Sequence, residues 1–494
     1  MGDLGAASEP WMPPLAPRTL PLGKANIYPS DELHAVSVSL PTWSSVIGLS
    51  RKEYWVLEKL EWSYPRFYLN KPVRDVSDAV LRRLQITDKT ISCMVFRSAY
   101  AARCCAAGLH TASSENQSSI IKIVRFFMPL ESNWGDSATH WANFAAVLFP
   151  LDLKKQAMAF WRDTGSGLST RHASYCLEEL DYLDSDSSEP KFRTPAPQKR
   201  SRHLSQQSLM LTQSADDSMD EVKSLLAKLA TSEQAGQPSV DVKDVFLYPN
   251  GMNAIYALSE GLASFAADSK VAAYGWLYPE TVNVLRQSPW GKVLSYKNGT
   301  EEELDQLESM LKSGQQILAL FCELPSNIKL SSPNLHRIRA LADKYGFIVA
   351  CDDTVAGYAN IDAIPYVDVM MSSLTKTFSG FSNVTGGRSF MRKDGGYGNV
   401  LSIIFRDPRS AEHFYNVLEV CKGSSFGTNF TLAIPYVQLA NYWDREKVPK
   451  YGVPQHIIRL SVGLENVEDI TNAVATALKE VEIFESGDTC KGGA

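Results

Sequence analysis

One segment of the chain, DVMMSSLTKTFSGFSNVTGG (Asp368–Gly387), carries a single lysine, Lys376, between an apolar strand end and a glycine-rich stretch. An amine whose surroundings lower its proton affinity can attack an aldehyde and hold it as a Schiff base. Ser373 and Thr375 lie just before it, and hydroxyls of this kind can hold a phosphate together with the free N–H groups of a turn. Other candidates are scattered along the sequence: Gly251 and Met252 in LYPNGMNAIYAL, Tyr274 in AYGWLY, Asn327 in CELPSNIKL, Asp352 in VACDDT and Arg459 in HIIRLSVGLE. Taken singly, most have an ordinary structural reading as well. Asn250–Gly251 is a common turn, Asp352–Asp353 a helix cap, Arg459 a snorkelling side chain and Tyr274 a core residue.

The elements that must position these residues follow from the hydrophobic pattern. From Val242 onward short apolar runs (DVFLYP, KVAAYGW, QILALFCE, FIVACDDT) alternate with amphipathic helical spans. That alternation predicts an α/β domain with a parallel sheet covered on both faces, with sites at the carboxyl ends of its strands. HIIRLSVGLE as a strand and VEDITNAVATALKEVEIF as a helix predict a smaller C-terminal α+β domain. Upstream, VSVSLPTW reads as an extended entry and RDVSDAVLRRL (Arg74–Leu84) as a helix. ATHWANFAAVLFPLDLKKQAMAFW mixes strand-like and helical spacing. The polar, Ser/Pro-rich stretch that follows, Asp184–Asp217, offers little apolar surface to offset ordering entropy and is expected to be a disordered linker, with a helix after it at Asp220–Thr231. The expected divisions are 1–89, an N-terminal arm and the start of the catalytic fold; 90–183, an accessory insertion; 184–219, the linker; 220–408, the large domain; and 409–494, the small one.

Composition narrows the function classes. With 494 residues, 44% hydrophobic and 21% charged, the chain has the make-up of a globular protein with a large core. A net charge of −6 does not favour nucleic acid, and the basic run Lys199–Arg202 is short enough to be a solvated patch. The eight cysteines form no CxxC pair and show no zinc spacing, so no metal is expected and the thiols read as reduced. No apolar stretch has the length of a membrane span, no signal-type run opens the sequence, and Gly2 alone does not make a myristoylation site; a cytoplasmic protein is expected.

Taken together and in order, the motifs resemble those of the Cys/Met-metabolism enzymes that use pyridoxal 5′-phosphate (PLP), a family that includes cystathionine γ-synthases, γ-lyases, β-lyases and acylhomoserine sulfhydrylases. The resemblance implies an aspartate-aminotransferase-like (fold type I) large domain. It implies that Lys376 bears the cofactor, that Gly251 and Met252 with Ser373 and Thr375 hold its phosphate, and that Tyr274 stacks on its ring. It further implies that Asn327 lies near the phenolic oxygen, that Asp352 pairs with the ring nitrogen, and that Arg459 grips the substrate α-carboxylate.

HAVSVSLPTW, YPRFYLNKPVRDV, DTGSGLSTRHASYCLEELDYLD and CKGSSFGTNF resemble fungal cystathionine γ-synthases in particular. In the family's Y-x-R motif the two side chains reach the phosphate of a neighbouring subunit. Tyr64 and Arg66 are the matching residues, which implies a homodimer or homotetramer, although Asn70-Lys71-Pro72 stands where N-P-T is usual. The implied reaction is γ-replacement on an O-acylhomoserine, with cysteine giving cystathionine. Alternatives are another acceptor, including a carbon acid, in a secondary pathway; γ- or β-elimination; and a non-catalytic scaffold. Phe381, Thr385 and Phe426 depart from the fungal pattern and bear on the acceptor's pocket.

Overall fold

The computed structural model describes residues 16–26, 34–60, 62–129, 141–198, 217–232, 234–266, 268–357, 361–379 and 399–489. The readings of Gly2, Lys199–Arg202, Phe381, Thr385 and Cys490 lie outside the described residues.

Three sheets organise the chain. The first is antiparallel, in the order β1 (Ile91–Phe96), β3 (Phe144–Pro150), β2 (Lys122–Phe127), β4 (Asp184–Ser187). The central strand β3 reads FAAVLFP and is buried at every position, because helices Lys71–Arg83, Ala99–Ala112 and Thr170–Glu179 belong to the same unit. This unit therefore begins with the helix at Lys71 rather than at residue 90. It also takes in part of the expected linker. Ser185 and Ser187 are buried, the Ser187 hydroxyl donates to the Ile123 carbonyl at 2.7 Å, and Ser185 exchanges backbone hydrogen bonds with Thr194. Backbone pairing and hydroxyl bonds order DSDS where composition, which counts only apolar burial, predicted a linker. The expected helix near Asp220 is present over 217–230.

The second sheet is parallel throughout, in the order β6 (Lys292–Tyr296), β5 (Lys270–Tyr274), β7 (Ala319–Glu323), β8 (Ile348–Asp352), β9 (Val369–Met371). Helices such as Gly251–Phe265 and Leu335–Tyr345 bury apolar stripes against it, forming separate cores that share the sheet strands. This bears out the α/β expectation. One run differs: DVFLYP forms no strand, and Phe246 is 65% exposed while Val245 is buried.

The third sheet has the order β10 (Val400–Ile403), β13 (Ile458–Ser461), β12 (Leu432–Pro435), β11 (Cys421–Lys422), backed by helices Pro408–Val417 and Val467–Thr489. The small lobe thus starts before 409. It also recruits the chain's N-terminal segment: Val38, Leu40, Trp43, Val46 and Val56 share one core with Phe414, Tyr415, Ile458 and Leu460. Burying each such side chain contributes ~1.5–3 kcal/mol. Tyr415 fixes the register by donating to the Leu40 carbonyl at 2.7 Å.

Candidate functional site

The carboxyl ends of β7, β8 and β9 open into one cavity of about 580 Å³, where most of the sequence-identified residues meet: Tyr64, Arg66, Gly251, Met252, Asn327, Asp352, Ser373, Lys376 and Arg459. β7 ends in Glu323, β8 in Asp352, and the turn after β9 presents Ser373 and Lys376.

Lys376 is buried and its Nζ donates to Ser425 Oγ at 3.0 Å. Its amine lies 4.6 Å from the centre of the Tyr64 ring and 4.9 Å from that of Phe426. Burial holds this amine below the ordinary lysine range, Tyr64 opposes the shift, and the nearby Arg459 and Arg66 charges add to it. The Tyr64 phenol, which burial alone would raise, is instead drawn down to about 8 by the charges of Lys376 and Arg66. An amine and a phenol brought toward each other in proton affinity can pass a proton between them.

The helix Gly251–Phe265 starts at the cavity wall. Asn250 caps it by accepting from the Asn253 N–H at 3.0 Å, and Gly251 and Met252 of its first turn line the cavity. A Cβ on Gly251 would lie 3.0 Å from the Ser373 Cβ, a tight contact that glycine avoids as the helix start approaches that residue. Thr375 is buried and lines a smaller neighbouring cavity of about 220 Å³, which Tyr64, Arg66 and Asn250 also border.

Asp352 accepts from the Thr354 N–H at 3.0 Å and the Thr354 hydroxyl at 2.6 Å, and Thr354 in turn accepts from the Ser373 N–H at 2.8 Å. Glu323 lies beside Asp352 in register across the sheet. Burial and then the Asp352 charge push Glu323 up to about 8. Its two oxygens accept from the backbone N–H groups of Tyr278 and, at 3.2 Å, Asn327. Glu323 thereby holds two cavity residues in place. Sequence reasoning passed over it, although it opens the quoted ELPSN turn.

Arg459 is buried with one fork nitrogen on Asn327 Oδ1 at 2.8 Å and the other on the Ser425 carbonyl at 2.7 Å. Its guanidinium faces Phe426 at 4.9 Å and Tyr436 at 4.8 Å, and Tyr436 accepts from Asn327 Nδ2 at 3.1 Å. Ser425, another residue sequence reasoning missed, has φ +91° and serves both Lys376 and Arg459. A non-glycine residue held in that region stores strain that the surrounding bonds must offset.

One expectation needs correction. Tyr274 does not line the cavity: it is 1% exposed, packs in the sheet core and donates to the Thr300 carbonyl at 3.0 Å. As the last residue of β5 its side chain falls on the sheet face packed by helices Glu301–Lys312 and Leu335–Tyr345. Tyr278, four residues on and just ahead of helix Pro279–Gln287, lines the cavity instead. Tyr64 and Arg66 line the cavity of their own chain. Arg66 donates to the Tyr278 hydroxyl at 2.7 Å and to the Arg162 carbonyl at 3.0 Å, and Trp161 donates to the Pro65 carbonyl at 3.2 Å. The first sheet's unit thus ties the Y-x-R segment back onto its own large domain. The same unit meets the helix start, with Asn250 Nδ2 donating to the Gly165 carbonyl at 2.8 Å.

The donor set fits PLP. A bare helix start beside Ser373 suits the phosphate, Asp352 suits a protonated ring nitrogen, Tyr278 is an aromatic wall, and Lys376 is an amine with reduced proton affinity. Among the described residues no group of His, Cys, Asp and Glu is arranged to hold a metal ion.

Comparison with known proteins agrees with this assembly. Residues 72–169 match the fungal trans-sulfuration enzyme N-terminal domain, and residues 238–394 match the Cys/Met metabolism PLP-dependent enzymes. The chain is 36% identical to the cystathionine gamma-synthase-like protein ankD of Aspergillus thermomutatus, over 94% of this chain and 96% of that one. It is 27% identical to the cystathionine gamma-synthase of Neurospora crassa, over 92% and 97%. It is 26% identical to the cystathionine gamma-synthase-like enzyme iboG2 of Amanita muscaria, over 93% and 96%.

Proposed function

The chain belongs to the Cys/Met metabolism PLP-dependent enzymes, and on that premise we propose that it catalyses γ-replacement on an O-acylhomoserine. With cysteine as acceptor this is the cystathionine γ-synthase reaction. The observation that carries the proposal is the convergence of Lys376, Asp352 and Arg459 on one buried cavity, which a scaffold protein has no need to keep.

Gly251, Met252 and Ser373 would hold the phosphate of PLP, Tyr278 its ring face, and Asp352 its ring nitrogen. PLP, when bound, supplies an electron sink that acidifies the substrate's Cα–H and then its Cβ–H. The chain's own residues do the rest. Arg459 offers a two-pronged site for the α-carboxylate, oriented by Asn327 and Ser425. Lys376 takes the proton from Cα and moves protons at Cβ, so that the acyloxy group leaves from Cγ and the acceptor adds there. Tyr64, close to Lys376 and with a phenol at about 8, keeps that amine in the right protonation state between steps.

A second reading keeps this chemistry with another acceptor. It is favoured by Phe426, whose ring lies 4.9 Å from both the Lys376 amine and the Arg459 guanidinium where a smaller leucine is usual, and so takes up more of the cavity there. A homodimer or homotetramer remains part of the proposal. So does a cytoplasmic location, which the seven free cysteines among the described residues suit. Among those residues no helix is long and apolar enough to cross a membrane.

The test is mass spectrometry of products after the PLP-loaded protein meets O-acetylhomoserine with cysteine and carbon acids such as acetoacetate. A γ-substituted 2-aminobutyrate with release of acetate is the expected outcome. Products of elimination alone, a keto acid and ammonia, sink the proposal.

A further inference from the structure

The 580 Å³ cavity does not end at the amino-acid site. From the buried Lys376 and Arg459 it runs outward between the first sheet's unit and the 49–69 segment, past the apolar side chains of Leu57, Phe67 and Met158. Three cations line its exposed end: Lys52, just after helix Trp43–Arg51; Arg74, on helix Lys71–Arg83; and Lys154, at the start of helix Lys154–Thr164. None of the three has a carboxylate within 4 Å among the described residues; Arg74 rests on the Tyr68 ring and donates to its hydroxyl at 3.3 Å. The carboxylates lining the cavity among those residues, Glu323 and Asp352, both sit at its buried end.

We infer that this outer passage is the acceptor's binding site, and that it selects a nucleophile carrying a carboxylate but no ammonium group. The inference rests on the γ-replacement reading and deepens it. Arg459 is committed to the donor's α-carboxylate, so a second carboxylate needs its own cation, and the rim supplies three. An ammonium group there meets only like charge, which disfavours a zwitterion such as cysteine against the same thiol without its amine. Apolar walls between rim and reaction centre suit the short carbon chain that joins the two functional groups. For a thiol acceptor the step balances without a redox partner. The S–H proton is lost, an S–C bond forms at Cγ, the Cγ–O bond breaks, and the acyl group leaves as a carboxylate.

The experiment uses the full-length PLP-loaded protein with saturating O-acetylhomoserine and a series of thiols differing only in charge: 3-mercaptopropionate, 2-mercaptoethanol, cysteine and cysteamine. Rates are corrected for each thiol's ionised fraction. The expected order of kcat/KM puts 3-mercaptopropionate first and cysteamine last, with the ratio between them shrinking as salt screens the rim. Replacing Arg74 and Lys154 by glutamine should raise KM for 3-mercaptopropionate about 1.4- to 5-fold per cation, as for exposed charge pairs. The donor's KM and the cofactor's visible absorbance band should not move. Cysteine or cysteamine matching 3-mercaptopropionate, or a double variant that keeps the wild-type order and KM, overturns the inference. Calorimetric binding of 3-(methylthio)propionate, which is inert as a thiol nucleophile, separates the two levels of the argument. If it binds through Arg74 and Lys154 while O-acetylhomoserine is not turned over, the rim stands and the γ-replacement reading falls.

Discussion

Arg66 is the residue whose placement most changes the picture of this site, and a mixed-chain experiment tests it. Its guanidinium bonds to the Tyr278 hydroxyl at 2.7 Å and the Arg162 carbonyl at 3.0 Å within one chain. Replacing it by glutamine turns two bonds worth ~1.5–3 kcal/mol each into neutral ones worth ~0.5–1.5. The net loss is then about 2–3 kcal/mol, or about a 30- to 150-fold fall in kcat/KM or in cofactor affinity. Two differently tagged chains, one Arg66→Gln and one Lys376→Ala, are co-expressed, and assemblies carrying both tags are purified and assayed with cofactor absorbance followed alongside. If each chain completes its own cavity, both sites of a mixed pair carry a defect, and activity stays at or below that of the Arg66→Gln protein. If Tyr64 and Arg66 serve a partner, one site of each mixed pair is wholly wild type and activity returns to about half of normal. Recovery of that size refutes the same-chain assignment.

Three further outcomes follow from the same geometry. Tyr278→Ala should shift the cofactor's visible absorbance and weaken its retention, whereas Tyr274→Phe should leave both unchanged and cost only ~1 kcal/mol of stability from the lost bond to Thr300; equal spectral effects would reverse the assignment. Phe426→Leu removes the ring facing both Lys376 and Arg459, and KM for O-acetylhomoserine should rise about 2- to 30-fold, read by steady-state kinetics. Glu323, raised by burial and Asp352 to about 8, binds more protons in the folded than in the unfolded cofactor-free protein between its ordinary carboxylate range and that value. Its contribution is therefore full below the unfolded pKa and is lost as pH rises through about 8. Tm of the cofactor-free protein should fall from pH 5 to 8, and Glu323→Gln should flatten that slope.

The sequence by itself determined the chemistry of this protein. The order of the NGM turn, ELPSN, ACDDT, the lysine segment and the RLSVGLE strand is local information. Most of these residues lie at or just beyond strand ends of the parallel sheet or at a helix start, which the hydrophobic pattern locates, whereas Arg459 lies within β13 of the small lobe. Lys376, Asp352, Asn327, Arg459 and Gly251 were legible because their motifs, in that order, resemble those of a known family. Tertiary structure alone decided which tyrosine lines the cavity, because Tyr274 ends β5 and packs in the core with helix Leu335–Tyr345, whereas Tyr278 lies in the turn beyond it. It also decided the role of Glu323, whose two backbone bonds join segments 45 and 4 residues away. It also decided where Tyr64 and Arg66 lie in their own chain. Their destination depends on the packing of residues 38–56 into the small lobe and on the bonds from Trp161 and Arg162, contacts between distant segments that no run of sequence encodes.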